Sequence, residues 1–254
     1  MILAARQTGE GSPVIILHGM FGQSRNWATV SRLLGGRRRC IALDLRNHGE
    51  SGWDGRMDYP AMAEDIAETM AALGIDPCPV IGHSMGGKAA MTLALTRPET
   101  VAKLIVVDIA PVSYRSVGLG AYARAMESVD LAGMSRRAEV DSALSAAIPE
   151  DRIRGFLMQN LINDGGALRW RLNAPVLAGA AETLRAFPDP GGARYEGPAL
   201  FVAGEHSDYV LPEHRETIRA LFPRSRIASI KNAAHWVHAD QPEAFAALAE
   251  GFLG

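Results

Sequence analysis

The sequence predicts an α/β protein whose mostly parallel sheet carries helices on both faces and is interrupted by an inserted helical segment. Short apolar runs alternate along the chain with segments of helical periodicity, an order typical of a parallel sheet with right-handed crossovers. This alternation stops after Asp108 and resumes at Ala199. With 254 residues, of which 48% are hydrophobic, the chain can bury a large core. One domain with an insertion therefore fits better than two independent domains.

The chain up to Asp108 predicts five strands and three helices. The run Val14-Ile15-Ile16-Leu17 is apolar throughout, as expected of a strand buried on both faces. Glycines close two of the helices, because glycine ends a helix without strain. The strands cover 1–6, 14–17, 40–43, 79–81 and 101–107. The helices run from Ser24 or Asn26 to Leu34, from Asp58 or Tyr59 to Gly74, and over 88–95.

Residues 111–190 show no strand-like run and are predicted to form a helical cap, inserted into a core made of 1–110 and 191–254. Apolar residues recur there at helical spacing, as at Val140 and Leu144. The segment is also rich in Met, Tyr and Trp, which we interpret mainly as the core of the cap itself. After the cap, the pattern predicts strands over 199–203 and 226–230 and helices over 212–221 and 242–252.

Charge and cysteine content narrow the classes of partner. The 26 basic and 28 acidic side chains nearly balance, which argues against nucleic acid or a membrane as partner. The short cluster Arg37-Arg38-Arg39 is interpreted as a solvated loop. Cys40 and Cys78 are expected to be small buried residues and make no metal framework. The chain shows no signal-peptide pattern and no bilayer-length apolar run, so we expect a cytoplasmic protein, and its oligomeric state stays open.

The motif Gly82-His83-Ser84-Met85-Gly86 stands between an apolar, β-prone segment and an Ala-, Leu- and Met-rich helical stretch. A strand, a sharp turn and a helix in this order are the context of a nucleophile elbow. The turn exposes the serine oxygen at the carboxyl edge of the sheet, and a side chain at either flanking glycine would collide with a neighbouring element. The motif alone has low specificity, but the context identifies Ser84 as the candidate nucleophile.

A serine hydroxyl needs a base to become nucleophilic, and the base needs an acid that orients it. Of the seven histidines, His235 alone combines a late position, a loop just beyond a strand and a following helix. His83 is adjacent to Ser84 but should point away from it, and His18 is expected to brace the Gly-rich loop after the strand at 14–17. The other histidines are placed on loops, on a helix surface or before the last helix: His48, His206, His214 and His238.

Two carboxylates fit the chain order serine, acid, histidine. Asp108 follows the strand after the elbow, and Asp208 follows the strand beyond the cap. Each also has a purely structural explanation. Asp108 could cap a helix or turn where the inserted segment begins, and Asp208 could form a surface turn. Chain order therefore leaves both candidates open.

At this point a family resemblance is visible in five segments spread over most of the core. The segments are His18-Gly19…Gly22, Asp44…His48-Gly49-x-Ser51, Gly82…Gly87, Gly204…Val210 and Ala234-His235. They resemble the α/β-hydrolase superfamily. Three further motifs are similar to the YbfF-type esterases of bacteria and their ABHD11-like relatives. These motifs are Arg46-Asn47-His48-Gly49, Asp108-Ile109-Ala110-Pro111 and Trp170-Arg171-x-Asn173.

The resemblance helps to decide which carboxylate is the acid that orients His235. Many members of the superfamily carry it as G-x-x-D after the strand beyond the cap, and here Ser207 occupies that place while Asp208 lies one residue late. The YbfF-like group takes its acid from the strand before the cap, which matches Asp108. The resemblance thus favours Asp108 over Asp208 and implies that Ser207 is an accessory hydrogen-bonding group near His235.

The oxyanion hole is expected to use backbone N–H groups. The residue after the nucleophile, Met85, supplies one, and the loop His18-Gly19-Met20-Phe21-Gly22 supplies the other from Met20. The resemblance implies a serine hydrolase of acyl esters or thioesters, with a small-molecule substrate and no cofactor or metal. Acyl transfer on the same fold and a slow-turnover ligand receptor are the alternatives. The Met- and aromatic-rich cap suggests an apolar acyl pocket of limited size.

Overall fold

The computed structural model describes residues 1–115 and 118–254 and contains a central sheet with helices on both faces. The strands are β1 (Ala5–Thr8), β2 (Ser12–Leu17), β3 (Arg38–Leu43), β4 (Cys78–His83), β5 (Val101–Val107), β6 (Leu161–Asp164), β7 (Ala167–Trp170), β8 (Ala199–Gly204) and β9 (Ser225–Ile230). The helices are α1 (Ala28–Leu34), α2 (Tyr59–Leu73), α3 (Met85–Thr96), α4 (Leu119–Ser128), α5 (Arg137–Ser145), α6 (Asp151–Leu157), α7 (Ala174–Gly179), α8 (Ala181–Arg185), α9 (Arg215–Leu221), α10 (Val237–Asp240) and α11 (Pro242–Leu253).

The main sheet has the strand order β1-β3-β2-β4-β5-β8-β9. All neighbours are parallel except β1, which pairs antiparallel with β3 at the edge. The predicted strand at 1–6 is therefore an edge strand, but it covers Ala5–Thr8. The first residues are held against α2 instead, since the amino group of Met1 binds Asp65 Oδ1 at 2.6 Å. The α/β class and the parallel sheet are confirmed.

The inner strands are buried on both faces, as their continuous apolar runs predict. In β2, Ile15 and Leu17 pack into the core under α2, α3 and the cap segment, while Val14 and Ile16 pack into a second core with α1 and α11. Alternate side chains of one strand thus serve two separate cores, because successive residues point to opposite faces of a sheet. This double burial holds the carboxyl ends of β4 and β5 in place.

Helix α2 begins and ends as the sequence predicts. Asp58 accepts a hydrogen bond from the backbone N–H of Ala61 at 2.8 Å and so caps the amino end. At the other end Gly74 has φ +62°, the left-handed conformation that favours glycine after a helix.

The segment between β5 and β8 carries helices α4 to α8, as expected, but the prediction that it contains no strand is wrong. Strands β6 and β7 form an antiparallel hairpin joined at Gly165-Gly166, whose φ values are +61° and +98°. Leu161 fits the helical spacing after Leu157, yet α6 ends at Leu157 and the Gly-Gly pair supplies a two-residue turn. The cap boundaries at 111 and 190 stay a prediction.

The interpretation of Arg37-Arg38-Arg39 as a solvated loop is also wrong in part. Arg38 lies in β3, is buried, and donates to both carboxylate oxygens of Glu250 in α11 at 3.1 and 3.2 Å. This ion pair joins the strand to the last helix. Within 1–115 and 118–254, no helix has the length and apolarity needed to cross a membrane.

Candidate active site

Ser84 stands at the turn between β4 and α3 with φ +52° and ψ −116°. Such a conformation is strained for a residue other than glycine and persists only where neighbours impose it. The two flanking glycines allow the close packing that does so. A Cβ on Gly82 would lie 2.3 Å from the carbonyl oxygen of Gly86, and a Cβ on Gly86 would lie 2.5 Å from that of His18. The predicted elbow geometry and the need for both glycines are confirmed.

Three side chains from separate elements meet at the carboxyl edge of the sheet. Ser84 follows β4, Asp108 follows β5, and His235 lies in the loop after β9. His235 Nε2 is 3.2 Å from Ser84 Oγ, and His235 Nδ1 is 2.8 Å from Asp108 Oδ2. Because a carboxylate can only accept, Nδ1 carries the ring proton and Nε2 is free to accept from the serine hydroxyl.

Asp108 is fully buried and each of its carboxylate oxygens is bonded. Oδ1 accepts from the Gly204 N–H at 3.0 Å, and Oδ2 accepts from both His235 and the Ser207 hydroxyl. Ser207 thus contacts Asp108, at the same oxygen that binds the imidazole. The side chain of Asp208, the other sequence candidate, is exposed.

Two further residues hold His235 in position. His83 Nε2 lies 2.8 Å from the backbone carbonyl of His235, so the histidine next to the nucleophile anchors the loop that bears the base. The Tyr209 ring stacks on the His235 ring with a centroid distance of 4.0 Å and an interplanar angle of 20°. One contact fixes the backbone of His235 and the other fixes the plane of its imidazole.

The loop after β2 is braced by His18, as the sequence predicts. Leu45 N–H donates to His18 Nε2 at 2.9 Å, and His18 Nδ1 donates to the Gly19 carbonyl at 2.8 Å. Burial lowers the pKa of His18, so the ring stays neutral and keeps both bonds.

A second histidine braces the same loop. His48 lies on a loop, as the sequence predicts, but this loop is packed inside the protein: His48 is fully buried and accepts a hydrogen bond from the Phe21 N–H at 3.1 Å. Its Nδ1 donates to the Arg46 carbonyl at 2.9 Å. Burial lowers the pKa of His48 to about 3, which keeps Nε2 available as an acceptor.

Met20 and Met85 lie beside Ser84, Met20 in the braced loop and Met85 as the first residue of α3. Among residues 1–115 and 118–254, no protein acceptor takes a hydrogen bond from either backbone N–H. The amino end of α3 also carries a partial positive charge. Met20 and Met85 line one cavity with Ser84, and their unpaired amides are therefore candidates to hold a developing oxyanion.

Two cavities open on Ser84. The larger, of about 210 Å³, is lined by the loop after β2, by cap residues such as Phe156 and Leu157, and by the loop of His235. The smaller, of about 20 Å³, lies between α2, α3 and α8. Residues from the cap line both, so the cap completes the walls of the site.

Lys88 closes the smaller cavity and is fully buried in α3. Its Nζ donates to the carbonyls of Arg185 at 2.8 Å and Ala186 at 2.7 Å, just where α8 ends. It also lies 4.9 Å from the centre of the Tyr114 ring. Burial lowers the pKa of Lys88 from 10.5 to about 7.

The remaining three histidines do not belong to the hydrogen-bonded series of Ser84, His235 and Asp108. His206 is exposed, and His214 accepts from the Leu211 N–H at 3.2 Å at the start of α9. His238 is buried against Trp27, with ring centroids 4.1 Å apart, and lines the larger cavity. Within the described parts of the chain, no three His, Cys, Asp or Glu side chains cluster as a metal site.

Sequence reasoning missed the positions of His48, Tyr209 and Lys88. The first two lie inside segments that carry the family resemblance, so a signal was present although their contacts were not deducible. Lys88 is the one charged residue of an otherwise uncharged helix from Met85 to Thr96, a signal of a buried amine with a specific partner.

Comparison with known proteins agrees with this architecture. A model of the α/β-hydrolase fold family matches residues 12–242. The chain is 40% identical over 247 residues to mouse sn-1-specific diacylglycerol lipase ABHD11, covering 94% of this chain and 80% of the mouse protein. It is 35% identical over 244 residues to Escherichia coli esterase YbfF, covering 94% and 92%. A marine microorganism esterase of known structure superposes with TM-score 0.94 at 34% identity, covering 99% of both chains.

Proposed function

The chain belongs to the α/β-hydrolase family and is an ester hydrolase, and we propose that it acts as a serine esterase through an acyl-enzyme on Ser84. The observation that carries the proposal is the hydrogen-bonded series from Ser84 through His235 to the buried carboxylate of Asp108. In this proposal Ser84 is the nucleophile, His235 is the general base, and Asp108 orients the base.

Acylation begins when His235 Nε2 accepts the hydroxyl proton of Ser84 as Oγ attacks the ester carbonyl carbon. The oxyanion that forms receives hydrogen bonds from the N–H groups of Met20 and Met85. His235 then gives the proton to the alkoxy oxygen, the C–O bond breaks, and the alcohol leaves. The acyl group remains on Ser84.

Deacylation repeats these steps with water. His235 takes a proton from water as the water oxygen attacks the acyl carbon, and the proton then passes to Ser84 Oγ as the carboxylic acid leaves. Asp108 stabilises the imidazolium in both halves of the reaction. Ser207 acts as an accessory group, since its hydroxyl donates to the Asp108 oxygen that binds His235.

The proposed substrates are short- to medium-chain carboxylic esters, with acyl thioesters as a related class. The mainly apolar lining of the larger cavity, which includes Phe156 and Leu157 of the cap, favours uncharged organic groups. The mouse relative is named as a lipase of diacylglycerols, which are apolar esters as well.

Acyl transfer is a second candidate, because it differs only in the nucleophile that attacks the acyl-enzyme. A relative from Hanseniaspora uvarum, named ethanol acetyltransferase 1, is 28% identical over 262 residues and is covered to 78%. Product analysis separates the two reactions: hydrolysis gives the free acid, whereas transfer gives a new ester when an alcohol such as ethanol is added. The slow-turnover receptor would bind ester without either product.

The test compares the protein with its Ser84→Ala variant on p-nitrophenyl esters and acyl-CoA thioesters of graded chain length. We expect multiple turnovers that fall by roughly 10⁴-fold or more in the variant, together with an acyl adduct on Ser84 by mass spectrometry of the quenched wild type. Turnover that persists in Ser84→Ala, or ester binding without any turnover, would contradict the proposal.

A further inference from the structure

We propose that Tyr209 is a positioning residue whose ring stabilises the imidazolium that His235 forms during the reaction. The inference rests on the proposed function, since an imidazolium forms only if His235 accepts the proton of Ser84. It gives the charged imidazole two stabilising neighbours, the carboxylate of Asp108 at its edge and an aromatic ring on its face.

Tyr209 covers one face of the His235 imidazole. The two ring centroids lie 4.0 Å apart, and the ring planes are inclined by 20°. Within the described parts of the chain, the other aromatic neighbours of His235 are tilted and more distant, His83 at 4.7 Å and 47° and Trp236 at 6.3 Å and 49°. Tyr209 is therefore the ring whose face meets the imidazole.

The stacked ring favours the charged form of His235. The face of an aromatic ring carries partial negative charge and attracts a cation that lies within about 6 Å of the ring centre. The imidazole becomes such a cation when Nε2 accepts the proton of Ser84, and an interaction that strengthens in the transition state raises the rate. Burial raises the pKa of the Tyr209 phenol, which keeps the ring itself neutral.

The position of the Tyr209 ring is fixed through its own backbone. The Tyr114 hydroxyl donates to the Tyr209 carbonyl at 2.5 Å and accepts from the Ala110 N–H at 2.8 Å. This one hydroxyl joins the loop that bears Asp108 to the loop that bears Tyr209. Because a preorganised group needs no rearrangement when charge develops, the ring is ready to stabilise the imidazolium as it forms.

The loop after β8 also contacts the acid. The Ser207 hydroxyl donates to Asp108 Oδ2, and the Gly204 N–H donates to Asp108 Oδ1 at 3.0 Å. Two residues after Ser207, Tyr209 stacks on the base. A single short segment thus holds the carboxylate and the imidazole in place relative to each other.

The other titratable groups around His235 leave this effect intact. Burial lowers the pKa of His83 well below 6.5 and that of His238 to about 3, so both rings are neutral. Arg152 pairs with Asp240, so the opposite charges of these two side chains largely cancel at the imidazole. The charged form of the base is therefore governed by the buried carboxylate and the stacked ring.

The experiment measures kcat and the pH dependence of kcat/KM for p-nitrophenyl acetate in the wild type and in Tyr209→Leu. Leucine is apolar but has no aromatic face. We expect kcat to fall about 5- to 30-fold, because the imidazolium loses the stabilisation that the ring provides. We also expect the acid limb of the profile to move to lower pH by about half a unit to one unit, since His235 would then lose its proton more readily.

Two further variants test whether the aromatic face is responsible. Tyr209→Phe keeps the ring and removes only the hydroxyl, so it should restore both the rate and the acid limb relative to Tyr209→Leu. Tyr122→Leu is the matched control, because Tyr122 lines the larger cavity from α4. It should change KM while the acid limb stays at the wild-type position. Tyr209→Met provides a second variant without an aromatic face should Tyr209→Leu not fold.

The outcomes separate this inference from the function on which it rests. A Tyr209→Leu variant that keeps the wild-type rate, or that loses rate without any movement of the acid limb, overturns the stabilising role of the ring. A Tyr209→Phe variant that behaves like Tyr209→Leu overturns it as well, because the hydroxyl would then be the active group. These results leave the serine esterase intact, whereas turnover that persists in Ser84→Ala overturns the proposed function itself.

Discussion

The core and the cap hold their polar side chains in opposite ways. Around the site, the core buries its polar groups and gives them backbone partners: His18, His48, His83 and Asp108. In the cap, many charged groups form ion pairs between neighbours three residues apart, with at least one partner exposed: Arg136–Glu139, Arg154–Asp151 and Arg185–Glu182.

The difference indicates which region controls which property. Removing the partner of a buried polar group lowers the free energy of unfolding by about one to a few kcal/mol. An exposed ion pair contributes about 1 kcal/mol or less to the same quantity. The cap is tied to the core by apolar packing, by ion pairs such as Arg171–Glu50, and by many hydrogen bonds, such as Asn160 Nδ2 to the Phe21 carbonyl at 2.8 Å. We therefore expect changes in the core to alter the rate of the chemical step, and changes in the cap to alter the choice of substrate.

The largest effect is expected in the core, at the acid. Asp108→Asn should lower kcat/KM by roughly 10³- to 10⁴-fold, because an amide cannot fix the tautomer of His235 or stabilise the imidazolium. Asp208→Asn serves as the matched control and should stay within about twofold of wild type. Kinetics on p-nitrophenyl acetate, with unfolding curves for both variants, provide the measurement. A large loss in the Asp208 variant alone would mean that the acid is misassigned.

An intermediate effect is expected where the cap meets the core, at Lys88. Its folded pKa of about 7 lies below the ordinary 10.5, so between these values the unfolded state binds more protons and stability rises with pH. Between about pH 7.5 and pH 9.5, the titration of Lys88 should raise the free energy of unfolding by up to roughly 2 kcal/mol. Below about pH 7 the buried amine must carry its charge, and this gain is absent.

Urea unfolding of the wild type and of Lys88→Met at several pH values isolates that contribution. The variant has no amine to titrate, so the difference between the two curves should change with pH by the amount attributed to Lys88. Parallel curves over this range would show that the amine keeps its charge in the folded protein, held by the two carbonyls and the Tyr114 ring.

The smallest effect is expected at the exposed rim of the cap. Arg152 is 61% exposed, pairs with Asp240 of α10, and lies 4.9 Å from the centre of the Trp236 ring. Arg152→Ala should lower the free energy of unfolding by at most about 1 kcal/mol and leave kcat nearly unchanged. A tenfold loss of kcat would contradict the expected contrast between core and cap, because a cap residue would then control the rate of the chemical step.

Much of the core could be read from the sequence because its signals are local. Three such signals act on residues within a few positions of themselves. They are the apolar run of β2, the Asp58 side chain that caps the amino end of α2, and the glycines around Ser84. The hairpin at Gly165-Gly166 was missed because a period-2 pattern only four residues long does not stand out from a helical one.

The sequence by itself determined the fold class, the elbow and the candidate nucleophile, since a strand, a strained turn and a helix are encoded by adjacent residues. Only the tertiary structure decided which carboxylate meets His235, that His48 braces the loop of Met20, and how two cavities share Ser84. These contacts join residues far apart in the chain, such as Asp108 and His235, separated by 127 positions. Local patterns carry no information about such distances, because folding of the whole sheet brings its strand ends together.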